Sequence, residues 1–238
     1  MILVILASGR GSRLKKETAN VPKCLVKING ITILEGLEKL YKYFNKVIIV
    51  SGYKYKLIKN RYSNSRIKVI INKKFRSTNM VYSLLLTKKY ISSDLVVCYS
   101  DIFFDQSIIK KLIKINKTIL PLNKNWLNIW KKRMSNKKIY KDAENVITKK
   151  FSVIHIGGKI SKNNLPKLQF MGILKIKKND FFKMNKIFKK RKNYKIDLTS
   201  FLNIFLKKNN LFFFKTSKFW YEFDTYNDLR VFKNQLKK

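Results

Sequence analysis

Histidine, cysteine, proline, glycine and acidic residues are all scarce in this 238-residue chain, and each scarcity closes a class of explanation. The single histidine, His155, leaves no room for a histidine-based catalytic triad or a His-ligated zinc site, and it reads as a packed or exposed side chain. Two cysteines, Cys24 and Cys98, allow at most one disulfide and lack C-x-x-C spacing, so they read as reduced, packed thiols. The longest apolar run, Met1 to Ala7, is far short of the roughly 18 to 20 residues that span a bilayer. It has no basic leader and no small-residue cleavage site, so a cytoplasmic chain without membrane span or signal peptide is expected. With only 13 acidic residues, a carboxylate at the end of a strand stands out.

What the chain has in excess is positive charge: 54 lysines and arginines give a net charge of +41. Such a field favours polyanions, and a basic nucleic-acid-binding domain is the reading of a different class that it supports. The excess is spread over the whole sequence, however, with abundant Lys, Asn, Ile, Phe and Tyr beside 8 glycines and 3 prolines. That is the pattern an AT-rich genome imposes through its codons. Weak, salt-sensitive binding to nucleic acid is then a by-product, with no specific nucleic-acid partner. At 45% hydrophobic residues the chain can bury one large core, and no linker or repeat divides it.

Apolar, β-rich runs at 2–6, 46–51, 67–71 and 95–100 alternate with helix-period stretches at 31–44, 54–62, 79–89 and 107–115. This rhythm predicts an α/β fold with a mostly parallel sheet covered on both faces. After Leu120 the pattern loosens, with strands at 151–156, 168–176, 211–215 and 219–223 and helices at 180–190, 198–208 and after Thr225. Ligands of open α/β sheets sit at the carboxyl ends of strands.

At the end of the first strand stands LASGRGSRL, residues 6–14. Gly9 and Gly11 permit a tight turn whose backbone N–H groups face an anion, Ser12 adds a hydroxyl and Arg13 a forked cation. Neither G-x-G-x-x-G nor the Walker A pattern is present. Ten residues on, VPKCLVKINGITILE brings Lys23 directly behind Pro22. Together these segments resemble the nucleotidyltransferase superfamily that activates sugar phosphates and phosphocholine. The resemblance implies a Rossmann-like three-layer αβα sandwich of GT-A-like type with a mixed, mostly parallel sheet. It assigns the triphosphate and nucleotide to Leu6, Ala7, Ser8, Gly9, Gly11, Ser12, Arg13 and Lys23, with Lys23 and Arg13 catalytic.

LVVCYSDIFFD ends an apolar strand with Asp101, and FWYEFDTYNDL delivers Asp224 before the closing helix. Each alone is also a plausible helix cap. Phosphoryl transfer uses a hard cation held by one or two carboxylates, and the resemblance to phosphocholine-type cytidylyltransferases makes Asp101 and Asp224 the ligands of Mg²⁺, Asp101 also lying at the nucleotide. Glu222 lies on the same side of its strand as Asp224, a position that either supports the metal or faces solvent. The Thr78-Asn79 pair either caps a helix or presents the amide of Asn79 to a pyrimidine.

The stretch NKNWLNIWKKRMSNKKIYKDAENVI is most similar to the subgroup acting on phosphocholine, aminoethylphosphonate and phosphorylated glutamine. It makes Trp130, Arg133, Asp142 and Glu144, with Asp197 and Trp220, the acceptor-binding set, since aromatic faces and carboxylates suit an amine. Trp126 and Trp130 are equally at core spacing, and the charged residues could pair on the surface. The expectation is one nucleotidyltransferase domain over 1–238, with a nucleotide-binding half at 1–122 and an acceptor and second metal-ligand half at 123–238. It would be a monomer or homodimer that transfers CMP from CTP to a small phosphorylated or phosphonate acceptor. A sugar-1-phosphate nucleotidylyltransferase is the alternative on the same fold.

Overall fold

Every residue of the apolar run Ile2–Ala7 is buried, as a strand covered on both faces requires. In the computed structural model, which describes residues 1–160 and 165–235, this run is β1. The other strands are β2 (Lys27–Ile28), β3 (Ile31–Thr32), β4 (Lys46–Ser51), β5 (Ile67–Ile71), β6 (Leu95–Tyr99) and β7 (Ile102–Phe104). They continue as β8 (Ile119–Asn123), β9 (Val146–Lys149), β10 (Ser152–Ile156), β11 (Gln169–Phe170), β12 (Ile173–Ile176), β13 (Phe212–Thr216) and β14 (Trp220–Glu222). The helices are α1 (Glu35–Glu38), α2 (Tyr55–Tyr62), α3 (Met80–Leu85), α4 (Ser107–Lys114), α5 (Trp126–Arg133), α6 (Asn136–Asp142), α7 (Lys178–Arg191), α8 (Leu198–Leu206) and α9 (Tyr226–Gln235).

Ten strands form one mixed sheet, in the order β5-β4-β1-β6-β12-β8-β13-β10-β9 with β11 paired to β8. The first four of that order are parallel, with Val4 of β1 opposite Ile48 on one side and Val97 on the other. Strand β12 enters antiparallel between β6 and β8. Period-two alternation then divides the core. Ile2, Val4 and Leu6 pack with residues of α3, α7 and α8, while Leu3, Ile5 and Ala7 pack with residues of α2, α4 and α5. This is the expected α/β architecture with a mixed, mostly parallel sheet, and the carboxyl ends of β1 and β6 lie side by side.

Two local expectations are corrected, and two further strands behave in ways the sequence does not announce. The helix expected over 31–44 begins as a hairpin instead: Asn29 and Gly30 both take positive φ, 51° and 84°, and join β2 to β3. Asn-Gly is the preferred pair for a two-residue hairpin turn, so this signal was present in the sequence. The strand expected over 168–176 is cut in two by Gly172 at φ 69°, where an added Cβ would lie 2.7 Å from the Tyr99 ring. Strand β8 was hidden by Pro121, a residue that argues against a strand interior. Finally, the strand expected over 219–223 does not join the main sheet. It is β14, and it pairs antiparallel with β7 alone. Both cysteines are free and buried, and no helix among the described residues is long and apolar enough to cross a membrane.

Candidate active site

The loop after β1 is anchored at its start by Ser8, whose hydroxyl donates to the Val50 carbonyl at 3.1 Å. Gly11 sits in the left-handed region at φ 74°, and a Cβ there would lie 2.6 Å from Cβ of Lys23. The glycine therefore both makes the turn and leaves room for the Lys23 side chain. Thr18 closes the loop from behind by donating to the Gly11 carbonyl at 3.0 Å.

The pairing of β7 with β14 is what assembles the carboxylates. It sets Ile102 opposite Glu222, and the Phe223 amide donates to the Asp101 carbonyl at 2.9 Å. Asp101 is far in sequence from Glu222 and Asp224, yet each of the three places a carboxylate oxygen within 4.8 Å of the others. Lys23 Nζ lies between two of them, 2.5 Å from Asp101 Oδ2 and 2.7 Å from Asp224 Oδ1. Arg13 donates to the same Asp224 oxygen at 2.9 Å.

Electrostatics follow from this crowding. Burial alone would depress the Lys23 ammonium, but the charges of Asp101, Asp224 and Glu222 outweigh it and raise the group above its ordinary value. Burial pushes Asp224 up, yet Lys23 and Arg13 bring it below the usual carboxylate range. Glu222 rises well above that range through burial and through the charges of Asp224 and Asp101. Asp101 Oδ1 is buried without a hydrogen-bond partner among the described residues. Three convergent hard oxygen donors, one of them unsatisfied, fit a divalent cation of the magnesium type.

Two cavities meet at this cluster. The larger, about 380 Å³, is lined by Leu6, Ser8, Gly9, Gly11, Ser12 and Arg13 of the loop, and by Lys23, Asn79 and Asp101. Ala7, also expected there, ends β1 with its side chain in the core. Asn79 caps α3 by accepting from the Met80 amide at 2.8 Å, so the capping alternative is realised at the cavity wall. Asn72 lines the same cavity and was not singled out from the sequence. It is buried and donates to the hydroxyls of Thr78 and Ser83 at 3.0 Å each. Its only sequence signal was its place directly after a strand.

The smaller cavity, about 160 Å³, is lined by Trp130, Asp142, Glu144, Asp197 and Trp220, five of the six residues expected at the acceptor. It shares Met80, Tyr99, Glu222 and Asp224 with the larger one. Six of the chain's 13 acidic residues therefore line the two cavities, in a protein with 54 basic residues. Arg133 is the residue set apart. Its side chain is fully buried outside the acceptor cavity, and its Nε donates to Asp228 at 2.9 Å. Asp228 in turn accepts from the amides of Asp224 and Thr225 at 2.9 and 2.7 Å. Arg133 thus acts through Asp228 on the backbone that carries Asp224.

A glycine loop with Arg and Lys facing a carboxylate cluster, between two contiguous cavities at the carboxyl edge of an α/β sheet, defines a nucleotidyltransferase. The MobA-like NTP transferase domain matches residues 3–118. CTP:phosphoglutamine cytidylyltransferase from Campylobacter jejuni is 30% identical, over 97% of this chain and 98% of that protein. The chain belongs to this NTP transferase family. The bifunctional protein GlmU of Methanococcus aeolicus is 27% identical over 92% of this chain, which spans 50% of that longer protein. Among solved structures, the inositol-1-phosphate CTP transferase from T. maritima superposes with a TM-score of 0.76 at 19% identity, covering 100% of this chain and 96% of its own. CTP:phosphocholine cytidylyltransferase from Streptococcus pneumoniae does so at 0.75 and 19%, covering 99% of both.

Proposed function

We propose that this protein is a divalent-metal-dependent cytidylyltransferase that moves CMP from CTP to a small phosphorylated or phosphonate acceptor and releases pyrophosphate. The observation that carries this reading is the junction of a loop-lined cavity and an acid-lined cavity at Asp101, Glu222 and Asp224. The similarity to CTP:phosphoglutamine cytidylyltransferase along nearly the whole of both chains supports CTP as donor. The acid-lined second cavity favours an amine-bearing acceptor over a sugar phosphate.

In this reading residues 1–122 supply the nucleotide half of one domain and 123–238 the acceptor half and second metal ligand. The loop from Leu6 to Arg13, with Lys23 and Asn79, holds the nucleotide. Trp130, Asp142, Glu144, Asp197 and Trp220 hold the acceptor, with Arg133 positioning Asp224 from outside the cavity. Asp101 and Asp224, joined by Glu222, would hold Mg²⁺, which when bound neutralises charge shared by triphosphate and acceptor. The acceptor oxygen is already ionised at neutral pH, so no general base is needed. It attacks the α-phosphorus, a new P–O bond forms, and the bond to the bridging α,β-oxygen breaks. Arg13 and Lys23 stabilise charge on the α-phosphate and the leaving pyrophosphate, so catalysis is positioning and fixed electrostatics.

Pyrophosphate release tests the reading, with Mg²⁺, each of the four nucleoside triphosphates, and a panel of phosphocholine, phosphoethanolamine, 2-aminoethylphosphonate, phosphoglutamine and glucose-1-phosphate. Release with CTP and an amine-bearing acceptor is expected. Release with UTP and glucose-1-phosphate instead would replace the assignment by a sugar-phosphate one.

A further inference from the structure

The acceptor cavity carries more hydrogen-bonding chemistry than a cation needs. Thr199, at the start of α8, places its hydroxyl 2.7 Å from Glu144 Oε1 and 2.9 Å from Asp197 Oδ1. A hydroxyl has one proton, so it donates to only one of these two carboxyl groups. Asp197 already accepts from the Ser200 amide and hydroxyl at 2.7 and 2.8 Å, which holds it ionised. Burial, with Asp197 and Asp142 nearby, pushes Glu144 above the usual carboxylate range. Gln169, buried on the same cavity wall, has an Oε1 with no hydrogen-bond partner among the described residues. Gln169 Oε1 is thus a cavity-lining acceptor left without a proton, while the Trp130 and Trp220 indole N–H groups on the same lining are donors left without an acceptor among the described residues.

The aromatic residues of the cavity are meanwhile engaged with one another. Trp130 stacks edge-to-face on Trp126 at 4.9 Å and on Trp220 at 5.6 Å, and the Arg133 guanidinium lies 5.9 Å from the Trp130 ring centroid. Tyr99 and Phe170 form a further edge-to-face pair at 6.1 Å. Recognition of a quaternary ammonium relies on open aromatic faces, because that group has no N–H to donate. Here the Gln169 carbonyl oxygen stands unpaired beside the Glu144 and Asp197 carboxyl groups, and a buried acceptor left unpaired is destabilising.

We infer that Glu144, Asp197, Thr199 and Gln169 form a subsite for an ammonium group bearing N–H bonds, so that the acceptor's cationic end is a primary amine and not a trimethylammonium. The inference rests on the cytidylyl-transfer reading and names the acceptor class within it. Three N–H donors meet the Glu144, Asp197 and Gln169 oxygens. A trimethylammonium of equal charge offers a proton to none of them and leaves Gln169 Oε1 unpaired.

The test compares acceptors that differ only in N-methylation, using the full chain with Mg²⁺ and CTP. The pairs are phosphoethanolamine against phosphocholine, and phosphoglutamine against its α-trimethylammonium form. At least one primary-amine member should be used about tenfold or more better in kcat/KM than its methylated partner. Calorimetry in the presence of Mg²⁺ and α,β-methylene-CTP should give the same order in Kd. Glu144→Gln, a near-isosteric change that can keep the contact with Thr199, should raise KM for the primary-amine acceptor about tenfold and leave KM for CTP unchanged. Gln169→Leu should narrow the gap within a pair.

Equal or better use of the trimethylammonium members would overturn the subsite and leave cytidylyl transfer standing. Binding of the CTP analogue with no use of either member of either pair would overturn the subsite as well. Failure to bind the CTP analogue and to turn over any acceptor would overturn the transfer reading, and the subsite with it.

Discussion

Lys23 occupies the place where a divalent cation would draw on Asp101 and Asp224, with its ammonium 2.5 and 2.7 Å from their oxygens. Ion and ammonium would compete for the same lone pairs, so in the proposed reaction metal loading would turn Lys23 toward the phosphates. Lys23→Ala should accordingly bind Mn²⁺ more tightly than wild type when titrated without nucleotide, while its turnover falls by roughly 10² or more. Unchanged Mn²⁺ affinity would show that the ammonium does not guard the carboxylates. Asp224→Asn should cut kcat by a comparable factor in the pyrophosphate assay, and full metal-dependent activity in that variant would remove Asp224 from the ligand set. These residues could be picked out from the sequence because a glycine loop, Pro22-Lys23 and strand-end aspartates are local patterns. The competition between them could not, because it arises from distances across 78 and 201 residues of chain.

Elements place these groups, and their caps and pins are testable separately. Arg133 ties α5 to α9 through a buried pair with Asp228, which holds the Asp224 amide. Arg133→Met leaves that carboxylate uncompensated and should lower stability by about 3 to 5 kcal/mol in a denaturant melt, since breaking a buried pair is expensive. Asp197 caps α8 by accepting from the Ser200 amide. Burial raises this carboxyl, but hydrogen bonds from Ser200 and Thr199 outweigh that and lower it. Its contribution is therefore fully present above the unfolded value of about 4 and disappears as pH falls through the lower folded value. Asp197→Ala should be about 1 kcal/mol less stable at pH 7, and the gap to wild type should close in acid. A gap constant with pH would mean that the cap's charge does no work. The sequence groups Arg133 with the acceptor because it ends the same helix, three residues after Trp130, which lines the cavity. Which way a side chain leaves such a helix is fixed by what packs against it, here α9, nearly a hundred residues further along the chain.

At the scale of the whole molecule, charge and site pull in opposite directions. The +41 field is diffuse, whereas six of the 13 acidic residues gather at the two cavities. A diffuse field gives counterion-release binding that vanishes with salt. Duplex DNA retained by the protein at low ionic strength should be fully released by about 0.5 M NaCl in a filter-binding titration. Retention above that concentration would revive a dedicated nucleic-acid role. In the proposed reaction these acids would favour a metal and an amine at the cavities, inside a protein whose basic exterior would draw in the anionic triphosphate.

The sequence by itself determined the α/β class, the buried first strand and the glycine loop that follows it. Each of these depends on patterns of short range: an unbroken apolar run, a period of hydrophobicity, a pair of glycines where the chain turns. It also held the Asn29-Gly30 hairpin, whose turn chemistry is local. Only the tertiary structure decided that β14 leaves the main sheet to pair with β7, bringing Glu222 and Asp224 to Asp101. Only it decided that Arg133 faces Asp228 and that Thr199 stands between two carboxyl groups. Strand pairing across more than a hundred residues is chosen by the packing of whole faces, and no short stretch of this chain encodes it.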